Sequence, residues 1–360
     1  MQNFDLSGDF ISANRIGSGL INDSYVVSYN QAGHIVRYVA QRINRNVFRD
    51  PVALMDNIAR VTQHLSDRDG GRHLTLIKAR DGSDYCRDES REYWRVCPFI
   101  EGARTIDKAR SGMQARESAA AFGRFQALLC DLPGPRLHET IPAFHNTVAR
   151  YLRFDEVLAR DEYDRSRMCK PEIRKAMDFR AAAASLVGLH ERGEVPERVT
   201  HNDAKISNLM FDDVSGRVVC VIDLDTVMPG LVLYDFGDLV RTMTMSVAED
   251  EKDLTKVAMQ IPRYRELVGG YLGSTIDFLT TAELENLSVA GKVITIETGL
   301  RFLTDFLAGD EYFRIQRPNH NLDRCKTQFA LADSIDNQFD EMQAVLHDEV
   351  ASLTGETGLQ

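Results

Sequence analysis

Apolar and polar positions alternate over the first part of the chain in a way that indicates β-structure. β-Branched and aromatic residues fill 24–29 and 34–39, and the turn-forming stretch 30–33 separates the two runs. This alternation, interrupted by asparagine and glycine, is typical of a β-hairpin. The pattern therefore predicts an antiparallel strand pair within residues 14–43.

A helix is predicted after this hairpin, because the next apolar residues recur at helical spacing. The residues expected on its buried face are Val52, Met55, Ile58, Ala59 and Thr62. Two further short strands are predicted at 74–77 and 93–99, with a turn at Asp81-Gly82 between them.

Beyond Glu101-Gly102 the pattern changes to helical periodicity, rich in alanine, glutamate and leucine. Helices are predicted at 113–129, 174–189 and 284–307, and the strand-like exceptions are 199–200, 209–211 and 218–221. The pattern predicts an α+β fold with two lobes: a small antiparallel-sheet lobe, residues 1–100, and a larger, mainly helical lobe, residues 101–360. We expect residues 97–102 to form the hinge and a nucleotide to lie in the cleft, because pockets favour domain junctions.

Composition narrows the class of protein. With 43% hydrophobic and 27% charged residues, the 360-residue chain resembles an ordinary globular enzyme. A net charge of -11 argues against a general nucleic-acid binder, which needs a basic surface. The six cysteines are scattered singly, and no apolar run approaches the roughly 18–20 residues that span a bilayer. The first residues also lack an apolar signal core, so a cytoplasmic location without a membrane partner is expected.

One stretch, residues 199–241, concentrates side chains that suit phosphoryl transfer. Asp203 follows His201 by two residues, Asn208 follows five residues later, and Asp223 comes fifteen residues after Asn208, at the end of a predicted strand pair. A carboxylate must accept the hydroxyl proton, and oxygen ligands must hold Mg²⁺ on the phosphates. The order H-x-D-x4-N followed by D matches the catalytic loop and metal aspartate of kinases. Asp203 is predicted as the base, and Asn208 and Asp223 as metal ligands.

The neighbours of these residues allow two interpretations each. Lys205 could neutralise charge on the transferred γ-phosphate, or it could be a surface lysine. His201 could take part or could brace the loop. Asp225 lies one strand alternation from Asp223, which would place it on the same face as a further acid or ligand.

A second motif, Asp235-Phe236-Gly237, spells the metal motif of protein kinases. Its distance from Asn208 is too long, and no predicted strand leads into it. We interpret Asp235 and Asp238 as residues that brace the catalytic loop, and Arg241 as a helix cation that pairs with one of them.

The sequence resembles the aminoglycoside phosphotransferase-like kinases and, among these, the N-acetylhexosamine 1-kinases, over nearly the whole chain. The catalytic stretch 200–208 is specific to the wider group, and the other stretches point to the subgroup. The matching stretches are 17–22, 54–55, 94–96, 99–101, 200–208, 222–226, 228–230, 235–238, 249–254 and 301–303.

The resemblance implies a bilobal protein-kinase-like fold and transfer of the ATP γ-phosphate, with Mg²⁺, to the anomeric hydroxyl of N-acetylglucosamine or N-acetylgalactosamine. Arg301 and Tyr312 match positions that contact substrate, as does Asp203; from the residues alone, a helix-surface arginine and a core aromatic are the alternatives. The expected nucleotide-binding residues are Gly17, Gly19, Asn22, Gln41, Phe99 and Glu101.

Two departures leave other functions open. Leu20, an expected substrate residue, stands where the hexosamine kinases have a histidine, so the identity of the sugar is in question. Gln41 replaces the strand lysine of protein kinases, and Ala59 replaces its glutamate partner. The alternatives are therefore a kinase for another sugar, an amino alcohol or an aminoglycoside, and a nucleotide-binding regulator without catalysis.

Overall fold

In the computed structural model of the chain, the structure describes residues 2–16, 21–68 and 70–355. Up to Arg104 the chain forms mainly strands, and beyond it short strands lie between helices. The strands are β1 (Asp9–Ile16), β2 (Asp23–Gln31), β3 (His34–Arg42), β4 (Cys86–Arg87), β5 (Tyr93–Pro98), β6 (Ala103–Arg104), β7 (Arg198–Thr200), β8 (Leu209–Asp212), β9 (Val218–Val221) and β10 (Met228–Gly230).

The helices dominate the rest of the described chain. They are α1 (Pro51–Arg68), α2 (Gly112–Leu129), α3 (Thr147–Arg160), α4 (Lys170–Ala183), α5 (Ser185–Glu191), α6 (Val232–Met243), α7 (Ile261–Thr275), α8 (Thr281–Glu285), α9 (Leu287–Leu307), α10 (His320–Asn337) and α11 (Phe339–Thr354). Within the ranges described, no helix is both long and apolar enough to cross a membrane.

The chain divides into two compact units. The first contains Met1–Thr105, Asp131–Pro142 and Leu209–Pro229, and the second contains Ile106–Cys130, Ala143–Asn208 and Gly230–Gln360. Two later segments therefore join the N-terminal sheet region. The α+β class is confirmed, with an antiparallel sheet in the N-terminal region and a helical C-terminal part.

The first unit holds a five-stranded sheet in the order β1-β2-β3-β5-β4. The predicted hairpin is confirmed by β2 and β3, which pair antiparallel up to Gln31 and His34. Ala32 and Gly33 connect them, both with positive φ, as a two-residue turn that follows the strand twist requires. Side chains from the sheet pack with those of Phe4 and Ala79 in a buried hydrophobic core. Its members are Phe4, Val27, Tyr29, Tyr38, Ala40, Ala79 and Val96.

One strand prediction in this unit is wrong, and one strand was missed. Residues 74–77 form no strand, although the backbone N–H of Ile77 donates to the carbonyl of Val96 at 2.8 Å. One such bond does not make a ladder. The strand β1 was not predicted beyond its last residues, because it lies at the sheet edge and most of its side chains are exposed. An edge strand without a buried face carries little apolar alternation.

The helix α1 confirms the predicted helix, with one error on its buried face. Met55, Ile58 and Thr62 are buried as expected and Ala59 is half-buried, whereas the Val52 side chain is 47% exposed. The amide of Asn57 is also buried and donates to the carbonyls of His138 and Val227, at 2.8 and 3.1 Å. A polar side chain thus fastens this helix to the segment that follows β9.

The second unit is a helical assembly in which α9 is buried on almost every side. A helix that is apolar all round belongs in a core, and α9 shares its core with α3, α4 and α10. The predicted helix at 174–189 is in fact two helices, α4 and α5, which meet at Ala184. The predicted helix at 284–307 starts at Leu287, because the short α8 with its own capping box precedes it.

Candidate active site

The predicted catalytic segment, residues 201–208, belongs to the second unit. It follows β7 and ends in a 3-10 turn at Ile206–Asn208. Oδ2 of Asp203 accepts hydrogen bonds from Nζ of Lys205 at 2.7 Å and from Nδ2 of Asn208 at 3.0 Å. Nδ2 of Asn208 also donates to the Asp203 carbonyl at 2.9 Å. The structure therefore brings together Asp203 and Asn208, which the motif predicted, with Lys205, for which a surface position was the alternative.

The surroundings of Asp203 keep its carboxylate ionised. Burial opposes ionisation, but the charge and hydrogen bond of Lys205, together with Asn208, lower the pKa of Asp203 below its ordinary value. The side chain is still 29% exposed. An ionised, partly accessible carboxylate can orient a substrate hydroxyl and accept its proton.

The backbone before Asp203 is held in an uncommon conformation. Asn202 has a φ of +62°, in the left-handed region that few residues other than glycine adopt. Its N–H donates to Oδ1 of Asp235 at 2.6 Å, and the N–H of His201 donates to Oδ2 of Asp235 at 2.9 Å. Strained backbone of this kind is common at active sites.

The motif Asp235-Phe236-Gly237 lies inside α6. Burial raises the pKa of Asp235, and the two backbone N–H groups and Nε2 of Gln126 oppose that rise. The interpretation of Asp235 as a brace for the catalytic loop is confirmed. Asp238 pairs instead with Arg241, whose Nε donates to Oδ1 of Asp238 at 2.8 Å.

The imidazole of His201 is fully buried and packs edge-on against Phe122 and Phe125, with ring centroids 5.2 and 5.9 Å away. The N–H of Asp203 contacts its Nδ1 at 3.3 Å. A ring wedged between two aromatic side chains supports the bracing role over direct participation.

In the first unit, one residue separates Asp223 from the end of β9. The strand ends at Val221, Asp223 has a φ of +61°, and Leu224–Thr226 form a 3-10 turn. Asp225 is therefore not one strand alternation from Asp223, and that expectation is wrong. The backbone changes direction at Asp223, so the side chains of Leu224–Thr226 do not continue the strand alternation of β9.

Asp225 is the centre of a buried polar network. Its carboxylate forms an ion pair with Arg95, and the two side chains are only 4% and 3% exposed. Asn22 donates to Oδ2 of Asp225. Nε of Arg95 donates to Oε1 of Gln41 at 2.9 Å, and Nε2 of Gln41 donates to Ser24 at 3.0 Å.

Arg95 was not among the predicted site residues. It lies opposite Gln41 in the register of β3 and β5. Burial acts to lower the pKa of Arg95, but the charge of Asp225 raises it overall. A charged residue in the otherwise apolar run of β5 was the available signal, since a buried arginine needs a partner.

Phe99 and Glu101, also expected to bind the nucleotide, both contact Arg37. The Arg37 guanidinium lies 4.1 Å from the centre of the Phe99 ring, and its Nε donates to Oε1 of Glu101 at 2.8 Å on an exposed surface. Gly17, Gly19 and Leu20 lie outside the described residues.

The expected substrate residues Arg301 and Tyr312 lie close together in the second unit. The guanidinium of Arg301 is 5.1 Å from the ring centre of Phe144, 5.9 Å from that of Tyr312 and 5.5 Å from that of Phe313. Tyr312 is 56% exposed, so it is not the core aromatic that was the alternative. Cation–π contacts of this kind hold a guanidinium plane in place.

The expected metal ligands have suitable donor atoms for Mg²⁺. Because Nδ2 of Asn208 is turned toward Asp203, the remaining polar atom of the amide is its oxygen. Asp223 contributes a carboxylate, and both oxygens are the hard ligands that Mg²⁺ prefers. Across the described ranges, no three His, Cys, Asp or Glu side chains cluster as a metal site. Mg²⁺ in kinases needs few protein ligands, because substrate phosphates and waters supply the rest.

Known structures share this architecture. A choline kinase from Cryptosporidium parvum Iowa II is 16% identical, with 95% of this chain and 93% of that chain covered and a TM-score of 0.59. An aminoglycoside phosphotransferase from Alicyclobacillus acidocaldarius is 13% identical, with 98% and 95% covered and a TM-score of 0.57. A spectinomycin phosphotransferase, in complex with ADP and spectinomycin, is 11% identical, with 93% and 94% covered and a TM-score of 0.56. At these identities the likeness establishes the fold, which is kinase-like.

A comparison of the sequence with family models identifies the family of the chain, which the fold alone does not. The model of the phosphotransferase enzyme family, abbreviated APH, matches residues 12–267, which include every residue of the catalytic segment. The chain therefore belongs to the phosphotransferase enzyme family.

Proposed function

We propose that the protein transfers the γ-phosphate of ATP to the anomeric hydroxyl of an N-acetylhexosamine, in a reaction that requires Mg²⁺. The observation that carries the phosphotransferase part is the Asp203 carboxylate, ionised and hydrogen-bonded to Lys205 and Asn208. Family membership supports the same chemistry. The sugar acceptor rests on the resemblance to the hexosamine kinases and on the surroundings of Arg301.

In the proposed reaction, Asp203 orients the acceptor hydroxyl and takes its proton. A carboxylate with a lowered pKa is a weak base, but phosphoryl transfer passes through a loose transition state in which positioning matters more than base strength. Lys205 carries a positive charge beside Asp203 and would stabilise charge on the transferred group. Asn208 and Asp223 would each offer an oxygen to Mg²⁺, which neutralises phosphate charge when bound.

The charges around Arg301 favour a neutral acceptor over a cationic one. The guanidinium groups of Arg150 and Arg301 lie 5.9 and 5.1 Å from the centre of the same ring, that of Phe144. Burial and then the charge of Arg301 lower the pKa of Arg150. Two arginines repel an ammonium group, whereas a guanidinium can donate to hydroxyl and carbonyl oxygens. The aromatic rings beside Arg301 offer flat apolar faces to a sugar ring.

A cationic acceptor is the second candidate. Choline kinase and spectinomycin phosphotransferase share the fold, and the net charge of -11 would attract such a substrate. The alternative of a nucleotide-binding regulator without catalysis has less support. Asp203, Lys205 and Asn208, the side chains expected for catalysis in the second unit, are joined by hydrogen bonds.

The acceptor can be identified by following two products. The protein is mixed with ATP, Mg²⁺ and a panel of N-acetylglucosamine, N-acetylgalactosamine, glucose, galactose, choline and kanamycin, and both ADP and reducing ends are measured. We expect ADP release matched by loss of reducing ends for an N-acetylhexosamine. ADP without loss of reducing ends would refute phosphorylation at the anomeric oxygen, and turnover with choline or kanamycin alone would establish the second candidate.

The role of Asp203 is tested by Asp203→Asn. This change keeps the size of the side chain but removes the charge and the proton acceptor, so we expect kcat to fall at least about a hundredfold. The KM for ATP should change little if Asp203 acts on the acceptor. Near-normal turnover by the variant would show that another group is the base.

A further inference from the structure

The imidazole of His145 lies between a buried carboxylate and the backbone of the catalytic segment. Its Nδ1 is 3.0 Å from Oε1 of Glu297 on α9, and its Nε2 is 2.9 Å from the carbonyl oxygen of Asn202. His145 and Glu297 are both buried. Sequence patterns could not reveal this arrangement, because its three members, His145, Asn202 and Glu297, are far apart in the chain.

Both partners of His145 are hydrogen-bond acceptors, and this fixes its protonation state. A neutral imidazole has one N–H and can donate only once. Two donated bonds therefore require the imidazolium form. A protonated Glu297 could replace one donor, but, against burial, the charges of His145, Arg150 and Arg301 lower the pKa of Glu297 and keep its carboxyl group ionised.

The charges that face this pair come from several elements. Burial acts to lower the pKa of His145, but the charge and hydrogen bond of Glu297 and the Asn202 carbonyl raise it overall, against the effect of Arg301. Burial acts to raise the pKa of Glu297, but His145, Arg150 and Arg301 lower it overall. The Tyr234 phenol, whose ring is 4.9 Å from the imidazole, stays neutral because burial raises its pKa. The ion pair is thus the stable state near neutral pH.

Both backbone polar groups of Asn202 are held by side chains. Asp235 accepts its N–H at 2.6 Å, and His145 contacts its carbonyl oxygen at 2.9 Å. Asn202 itself has the uncommon φ of +62°, and its side chain accepts a hydrogen bond from the Thr200 hydroxyl at 3.0 Å. The two backbone contacts add to this local bond in setting the direction in which the chain enters Asp203. The contact with Asp235 fixes the N–H side, and His145 fixes the side nearer to the proposed base.

We propose that His145 and Glu297 form a charged clamp on the carbonyl of Asn202 that positions Asp203 for phosphoryl transfer. The clamp rests on the proposed function only in that Asp203 is the base. His145 and Glu297 are positioning residues: they act through the backbone. The second carboxylate oxygen, Oε2 of Glu297, has no hydrogen-bond partner within the described part of the chain, so the His145 contact is the main anchor of this carboxylate.

The clamp is tested first by Glu297→Gln, which keeps an oxygen acceptor for Nδ1 but removes the charge. The pKa of His145 should fall, because burial and Arg301 then act without the opposing carboxylate. The ring becomes neutral as pH rises through that lowered pKa, and it then donates only one bond. With N-acetylglucosamine and ATP, we expect the kcat of the variant relative to wild type to fall as the pH rises, to about tenfold below wild type at pH 8, since small misplacements of a reacting group reduce rates strongly.

A second variant, His145→Gln, removes the titrating ring altogether. We expect a kcat about tenfold lower at every pH, with the KM for ATP within about twofold. The matched control is His190→Gln, because His190 also contacts a backbone carbonyl, that of Val195 at 3.0 Å, elsewhere in the second unit. The control should keep the wild-type kcat and pH profile. Equal pH profiles for Glu297→Gln and wild type would refute the clamp.

A measurement without turnover separates this inference from the proposed function. Nitrogen-15 NMR of the ring should show both nitrogens of His145 protonated at pH 7.5 in the wild-type protein, and only one in Glu297→Gln. A neutral ring in the wild type would refute the clamp even if the enzyme phosphorylates the sugar. A charged ring with no phosphoryl transfer to any acceptor would contradict the proposed function and leave the clamp supported as a structural element.

Discussion

At the scale of single residues, a positive charge lies on β5 of this chain, whereas protein kinases carry a lysine at the position that corresponds to Gln41 on β3. Arg95 stands opposite Gln41 on the neighbouring strand and donates to it. The positive charge is therefore still present in this part of the sheet, but it is committed to Asp225.

Loss of one partner from this buried ion pair should be costly. Arg95→Met would leave the Asp225 carboxylate buried without its counter-charge, and we expect the free energy of unfolding of the protein to fall by about 3–5 kcal/mol. The double variant Arg95→Met with Asp225→Asn removes both charges and should recover most of that loss. Urea denaturation followed by circular dichroism measures both.

The control for this cycle is an exposed ion pair of the same sheet. Arg15 pairs with Asp23, and the Arg15 side chain is 66% exposed. Arg15→Met should change the free energy of unfolding by no more than about 0.5 kcal/mol, since surface pairs contribute little. If Arg95→Met were as mild as this control, burial of the Arg95–Asp225 pair would have no energetic consequence.

At the scale of elements, α6 shows why a motif must be placed on its secondary structure. Asp235, Phe236 and Gly237 spell a metal motif, yet each serves the helix or its neighbours. Asp235 holds the catalytic backbone, and Phe236 packs against Tyr264 and Tyr271. Spacing along the sequence sufficed to reject the motif as a metal site. The partners of Asp235 required the structure.

Gly237 is required for close packing of α6 on α9. A Cβ at this position would lie 2.5 Å from the carbonyl oxygen of Ala290 and from Cγ1 of Ile294. We expect Gly237→Ala to destabilise the protein by about 1–3 kcal/mol through overpacking. Differential scanning fluorimetry would report this as a lower melting temperature.

Gly273 of α7 is the matched control, because a Cβ there would meet nothing within 4 Å. Gly273→Ala should be neutral or stabilise the protein by up to about 1 kcal/mol, as alanine favours a helix over glycine. Equal melting temperatures for the two variants would show that α6 and α9 can separate enough to admit a methyl group.

The elements that sequence predicted well are those whose pattern is local. The β2–β3 hairpin, α1, α2 and the β8–β9 pair combine regular periodicity with clear turn residues. The errors fall where the cause is tertiary. Ala184 divides one periodic stretch into α4 and α5, and the turn at Asp223 ends a strand that alternation alone would extend. Long-range partners such as Glu297 and Arg95 leave no periodic signal.

At the scale of the whole molecule, the net charge and the local charges point to different acceptors. A charge of -11 attracts cations from a distance, whereas the positive side chains Arg150 and Arg301 repel them at close range. Screening by salt acts on exposed charges beyond about 8–10 Å and hardly affects buried contacts. Ionic strength can therefore separate the two contributions.

This difference leads to a prediction about substrate affinity. For a neutral N-acetylhexosamine, the KM of the acceptor should stay within about twofold between 0.05 and 0.3 M potassium chloride, because its hydrogen bonds to the protein are not screened. A cationic acceptor such as choline or kanamycin, attracted by the overall charge, would show a KM that rises severalfold over the same range. Initial rates at fixed saturating ATP and Mg²⁺ measure both, and the KM for ATP at each salt concentration controls for effects on the nucleotide. A salt-independent, low KM for a cationic acceptor would mean that a local carboxylate binds its ammonium group, contrary to the proposal that Arg301 faces a neutral sugar.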